Sequence, residues 1–186
     1  MKTSLHKKLF AKKYVELTDK GVSIFSKSDH WTSLWRFIHW FLKIITFNQM
    51  TNFYTSFTTT IGKNIAFHSG WSPISVGARD YVILCHEEKH VEQYIKFGLG
   101  NVKLGVVVMG FLYLFVFIPV VGAWFRYYFE REAYLAGIRA WQRLGKDPDI
   151  ELYVDVLTGP NYVWAWPFKK SVRKYFKKHL YYYNEE

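Results

Sequence analysis

The sequence predicts an α+β fold, mainly helical, in which two long helices pack together beside a small β-hairpin or sheet. Three observations carry this. Several segments place apolar residues at three- and four-residue steps, the period of an amphipathic helix. One stretch, "TNFYTSFTTTIGKNIAFHSG" from residue 51, is instead rich in Thr, Phe and Tyr and is broken at Gly62-Lys63, which reads as two short strands joined by a turn. Half of the 186 residues are hydrophobic and 20% are aromatic, which excludes a disordered chain and requires either a thick apolar core or a lipid-facing surface. At this length one domain is expected over 1–186, with an N-terminal helical extension (1–50), a core (51–145) and a C-terminal basic helical extension (146–186).

The chain opens with "MKTSLHKKLFAKKYVELTDK", whose charges are spread along an amphipathic segment. It has no continuous apolar stretch of the secretory kind, so no cleaved export signal is expected. From Asp29, a plausible N-cap, Trp31, Leu34, Trp35, Ile38, Phe41, Leu42 and Ile45 form the bulky apolar face of a helix. The hairpin follows, and Gly70, Pro73 and Gly77 then mark a loop. The next helix should begin between Ala78 and Asp80 and stop at Gly98, because glycine commonly follows a helix end.

Leu104 to Phe125 is an uncharged run of 22 residues, long enough to span a bilayer. Gly110, Pro119 and Gly122 interrupt it, which predicts a helix, a turn near Pro119, and a second helix running to about Leu144. Beyond "GKDP" come a short helix around "DIELYVDVLTG", an aromatic loop "PNYVWAWPF" and a last helix carrying Lys169, Lys170, Arg173, Lys174, Lys177 and Lys178 opposite Val172, Phe176 and Leu180. Formal net charge is +10, much of it at the two ends. A basic amphipathic helix of this kind suits anionic lipid or nucleic acid, or else a solvated outer face over a core-docked apolar one. No nucleic-acid-binding motif is present, so that partner is not expected.

The chemistry lies in "YVILCHEEKHVEQY", residues 81 to 94. Histidines four apart on a helix project from one face and can share a metal, so His86 and His90 are candidate zinc ligands. Glu87 lies at the edge of that face, where a carboxylate can reach a metal-bound water without being a ligand and so act as general base. Helical projection groups His86, His90 and Gln93, places Leu84, Val91 and Ile95 on an adjoining apolar flank, and leaves Glu88, Lys89, Glu92 and Lys96 as a polar outer stripe. Catalytic zinc takes a third protein ligand. It is sought in "RYYFEREAYLAG", where Glu130 shares a face with Arg126, Ala133, Tyr134, Gly137 and Trp141. Small residues at 133 and 137 let two helices approach closely enough for one metal to bridge them. Glu130 is therefore the preferred ligand, and Glu132, projecting to nearly the opposite face, is the alternative. Cys85 is the only cysteine, so no intrachain disulfide can form, as suits a reducing compartment. It has no base partner that would make it a nucleophile.

"HEEKH" followed about forty residues later by "FEREAY" resembles the gluzincin metallopeptidases, and most closely the short single-domain minigluzincins and related small bacterial HExxH proteins with H-x-x-Q after the motif. The likeness covers roughly residues 50 to 145. It implies a zincin-like fold, with His86, His90 and Glu130 on zinc, Glu87 as general base, and an edge strand that pairs with extended substrate. Tyr134 departs from it, standing where many relatives have an Asp that orients a metal-bound histidine. The function this implies is zinc-dependent hydrolysis of peptide bonds. Gln93, Tyr134 and Arg126 are the expected supporting or oxyanion-stabilising residues, and Tyr162 is a further donor candidate. The alternative is a non-catalytic zincin-like protein, membrane-associated or structural. Expected partners are a peptide or protein substrate and a membrane surface touched through 104–125 and the basic helices, with a cytoplasmic or membrane-associated location.

A shared metal also constrains the apolar run. A straight helix of that length extends about 33 Å and would carry Glu130 far from His90, so the segment must double back.

Overall fold

The computed structural model describes residues 4–114, 121–159, 162 and 168–181. Among these, eight helices accompany one three-stranded sheet: α1 (Leu5–Asp19), β1 (Ser23–Ser26), α2 (Thr32–Ile45), α3 (Phe53–Ser56), β2 (Thr59–Ile61), β3 (Asn64–Phe67), α4 (Ala78–Phe97), α5 (Val102–Leu114), α6 (Val121–Arg143), α7 (Ile150–Thr158) and α8 (Lys169–Tyr181). The fold is α+β and mainly helical, as the periodicity requires.

The sheet is more than the expected hairpin. β2 and β3 pair antiparallel around Gly62, in register Thr60 to Ile65, and β1 adds parallel to β3 with Ser23 opposite Asn64. The strand order β1-β3-β2 leaves β2 at an edge. Two expectations therefore change. Residues 1–50 are not wholly helical, because they supply β1, whose pairing with β3 spans about forty residues and has no local signal. Phe53–Ser56 is a helical turn rather than strand, since the Asn52 side chain accepts hydrogen bonds from Tyr54 N at 3.0 Å and Thr55 N at 3.3 Å and caps it. Asp29 does not cap α2. It closes a turn on Ser26 N, and Trp31, in a left-handed conformation, occupies the cap position.

α4 begins where expected, with the Asp80 carboxylate accepting from Gly77 N at 2.8 Å. It also stops at Gly98, although for a different reason from the usual one. Gly98 keeps a negative φ, while a Cβ there would lie 2.0 Å from the Asn101 carbonyl oxygen, so the tight turn into α5 needs the missing side chain. α5 leaves α4 at a bend of 103°. It crosses close enough that a Cβ on Gly105 would strike the Tyr94 carbonyl.

α6 packs against both α4 and α5. Pro119, where the turn is expected, and most of "PNYVWAWPF" fall outside the described residues. No single described helix is long and apolar enough to cross a membrane.

Three apolar clusters hold the elements. Phe10 and Leu17 of α1, Ile65 and Phe67 of β3, and Leu84 and Val91 of α4 form the first. α1 thereby covers part of α4's anticipated outer stripe: Glu88 is half-buried and pairs with Lys13 at 3.0 Å. The second joins Leu135 and Ile138 of α6 to Val154 and Leu157 of α7 and to Val172 and Phe176 of α8. The basic helix thus spends its apolar stripe on the core, with Lys170, Lys174, Lys177 and Lys178 outward. The third sets Trp35 of α2 against Phe53, Met50 and Ala66. α6 is the wall between the first two, apolar on both sides, and it projects Glu130 toward α4.

Candidate metal centre

The close approach of α4 and α6 follows from small side chains. Ala133 is wholly buried, and a Cβ on Gly137 would lie 3.4 Å from Val82 Cγ1 and 3.9 Å from His86 Cβ. Across this seam three donors converge. His86 Nε2 and His90 Nε2 are 3.2 Å apart, and Glu130 Oε2 lies 3.6 Å from the first and 3.7 Å from the second. A tetrahedral ion held at ordinary zinc–nitrogen and zinc–oxygen lengths separates its ligand atoms by about 3.4 Å. The three separations bracket that value, and two imidazoles with one carboxylate are a zinc donor set, so the residues fit the ion.

Electrostatics point the same way. Burial disfavours an imidazolium at His90, but the Glu130 carboxylate outweighs it and pushes the pKa up to about 9. Burial also opposes charge on Glu130, yet His90 and His86 hold its carboxyl well below the usual range. Without a metal, the three side chains form a buried ion pair whose proton a cation would displace.

Gln93 sets the orientation of His90. Its amide nitrogen donates to the Phe129 carbonyl at 3.0 Å and to Glu132 at 3.2 Å, which turns its oxygen toward His90 Nδ1 at 2.9 Å. With Nδ1 as donor to that oxygen, Nε2 is the ring atom that faces the seam and becomes a ligand atom once its proton is displaced. Projection sets Glu132 nearly opposite Glu130 on α6. Its flexible side chain reaches back to Gln93, one step behind the donors rather than among them.

Tyr134 stands against His86. Its ring meets His86 edge-on at 4.7 Å, and its hydroxyl hydrogen-bonds Tyr162 at 2.6 Å. Burial pushes its pKa up, so the phenol keeps its proton. Arg126 lies over the Tyr162 ring, its guanidinium carbon 5.5 Å from the centroid. These residues form an aromatic wall beside His86. Cys85 is buried, and burial pushes its thiol pKa up, which removes the thiolate a nucleophile needs.

Two residues of this region carry no motif signal. Thr60 on edge strand β2 donates its hydroxyl to Glu87 Oε2 at 2.8 Å and fixes the carboxylate where strand meets helix. Period-2 alternation would have put Thr60 on one face of β2, but nothing local says that α4 packs there. Lys27, following β1, is 0% exposed, donates to the carbonyls of Phe53 and Phe57, and has its ammonium 3.6 Å from the Phe53 ring centroid. Burial pushes its pKa down to about 7, against an opposing pull from Glu87. No family model, curated protein or solved structure matches this chain.

Proposed function

We propose that the chain is a zinc-dependent metallopeptidase of gluzincin type with a zincin-like core. The observation that carries this reading is the convergence of Glu130 Oε2 on both Nε2 atoms, with Glu87 one residue along the same helix and pinned by Thr60. Bound zinc would supply Lewis acidity, polarising a peptide carbonyl and making water a usable nucleophile near neutrality. His86, His90 and Glu130 would hold it, and Gln93 keeps the His90 ring turned for the task. Glu87 takes the proton from the attacking water and returns it to the leaving amine. The Tyr134 phenol, which stands against His86 and bonds the Tyr162 hydroxyl, is a neutral donor for charge developing on the substrate oxygen, and Arg126 is a cationic one. β2, at the sheet edge and joined to α4 through Thr60, is the strand along which an extended peptide would lie.

The non-catalytic alternative is favoured by one observation: Glu87 is only 5% exposed and already engaged by a hydroxyl. A single experiment separates the two. Purified protein should carry about one zinc, which His86→Ala removes. Glu87→Gln should keep the zinc and abolish cleavage of a peptide library. Zinc with no turnover in the unaltered protein supports the non-catalytic reading, and absence of zinc refutes both metal-binding forms.

A further inference from the structure

α2 buries only one edge of itself. Trp35 enters the core, while Leu34, Phe37, Trp40, Phe41 and Ile44 face outward, Phe37 being 61% and Trp40 60% exposed. The face continues past the helix end into Phe47, held at a positive φ and 81% exposed. α5 offers a second such surface at Val107 and Phe111. Both helices border the β2–β3 turn: Ile61 packs in the cluster under α2, and a Cβ on Gly62 would lie 3.1 Å from Val102 and Val106 of α5.

Charge says what kind of partner fits. The sequence has no Asp or Glu from residue 30 to 79 or from 93 to 129, the two stretches that carry these apolar faces. The only formal charges on α2 are Arg36 and Lys43, both exposed. A second copy docked here would set two positive faces together with no carboxylate from either stretch to compensate. Cations beside exposed Trp and Phe on one helix face instead match an anionic bilayer surface, with rings at the headgroup–acyl boundary and Arg and Lys among the phosphates. A helix of fourteen residues lies about 21 Å along such a plane.

We propose that α2 is an in-plane anchor that seats this protein on anionic lipid through Phe37 and Trp40, with the outer face of α5 alongside. The anchor is independent of the metal site.

The test is co-sedimentation with vesicles of phosphatidylcholine containing about a third phosphatidylglycerol, against phosphatidylcholine alone. Binding should be at least about tenfold tighter to the anionic vesicles, and Phe37→Ser/Trp40→Ser should weaken it by about tenfold or more. Arg36→Glu/Lys43→Glu should abolish the preference for anionic lipid, while Leu152→Ser, an exposed apolar position on α7, should change nothing. Brominated acyl chains should quench the tryptophan fluorescence of the unaltered protein, a readout that needs no substitution. Circular dichroism establishes that each variant is folded. The proposal is overturned if the unaltered protein does not sediment with anionic vesicles, binds neutral ones equally, or is indifferent to Phe37→Ser/Trp40→Ser. It is equally overturned if light scattering finds a dimer that this pair disperses, since the face then belongs to a second copy.

Discussion

Replacing Glu130 by Gln keeps the shape of the side chain and removes its charge, so it separates ligation from packing. In the metal-free protein His90 has its pKa pushed up to about 9 by this carboxylate. Near pH 7.5 it is almost fully protonated, and zinc must displace close to one proton from it. Without the carboxylate, the His90 pKa falls to its ordinary value of about 6.5 or below, and the proton displaced shrinks to about a tenth. Affinity falls as well. Disturbing a residue behind a ligand costs about 10–100-fold, so losing one of three ligands should exceed that range. Isothermal titration with zinc in two buffers of different ionisation enthalpy measures both quantities. Equal proton release from Glu130→Gln and unaltered protein, or equal affinity, would refute the reasoning. Stability follows the same linkage. The raised pKa of His90 stabilises the metal-free fold fully below about pH 6.5, and that contribution is lost as pH rises through about 9.

Three further outcomes follow from the packing around the site. Gly137→Leu should push α6 off α4 at Val82 and cost about 1–3 kcal/mol in thermal or denaturant unfolding, with weaker zinc binding, whereas Gly137→Ala meets only ordinary contact. Thr60→Val removes the hydroxyl that donates to the buried Glu87 carboxylate. It should cost about 1–3 kcal/mol of stability while leaving zinc stoichiometry unchanged, as metal analysis beside denaturation would check. For Lys27 the unfolded chain binds the proton more tightly than the fold does. The unaltered protein should therefore gain stability relative to Lys27→Met as pH rises between about 7 and 10, by about 2–3 kcal/mol over two pH units; a flat difference would count against a depressed pKa.

The elements most legible in the sequence are those whose signal is local. The bounds of α4 follow from Asp80 and Gly98, each acting within a few residues of itself, and the β2–β3 turn follows from Gly62. Glu130 and Gly137 could be placed on one helix face by counting, because 3.6 residues per turn fixes relative direction without any knowledge of neighbours. The same count sets Glu132 nearly opposite Glu130, yet its carboxylate reaches Gln93. Projection fixes where a side chain leaves the helix, not how far a flexible one bends back toward Gln93. β1, α3 and the α1 cover over Glu88 escaped because each depends on a partner distant in sequence or on one capping amide.

Which faces can carry chemistry is written along the chain: histidines one turn apart, a glutamate beside them, and a second helix with small residues next to another glutamate. So is the need for the apolar run to bend if those groups are to meet. Packing between elements sets Glu130 Oε2 at 3.6 and 3.7 Å from the two imidazoles, makes Thr60 hold Glu87, and leaves Phe37, Trp40 and Phe41 of α2 facing outward. The physical reason is one of range. Helical period and capping are set by neighbours along the chain, whereas a donor separation, a strand-to-helix hydrogen bond or an uncovered face depends on what packs across from it.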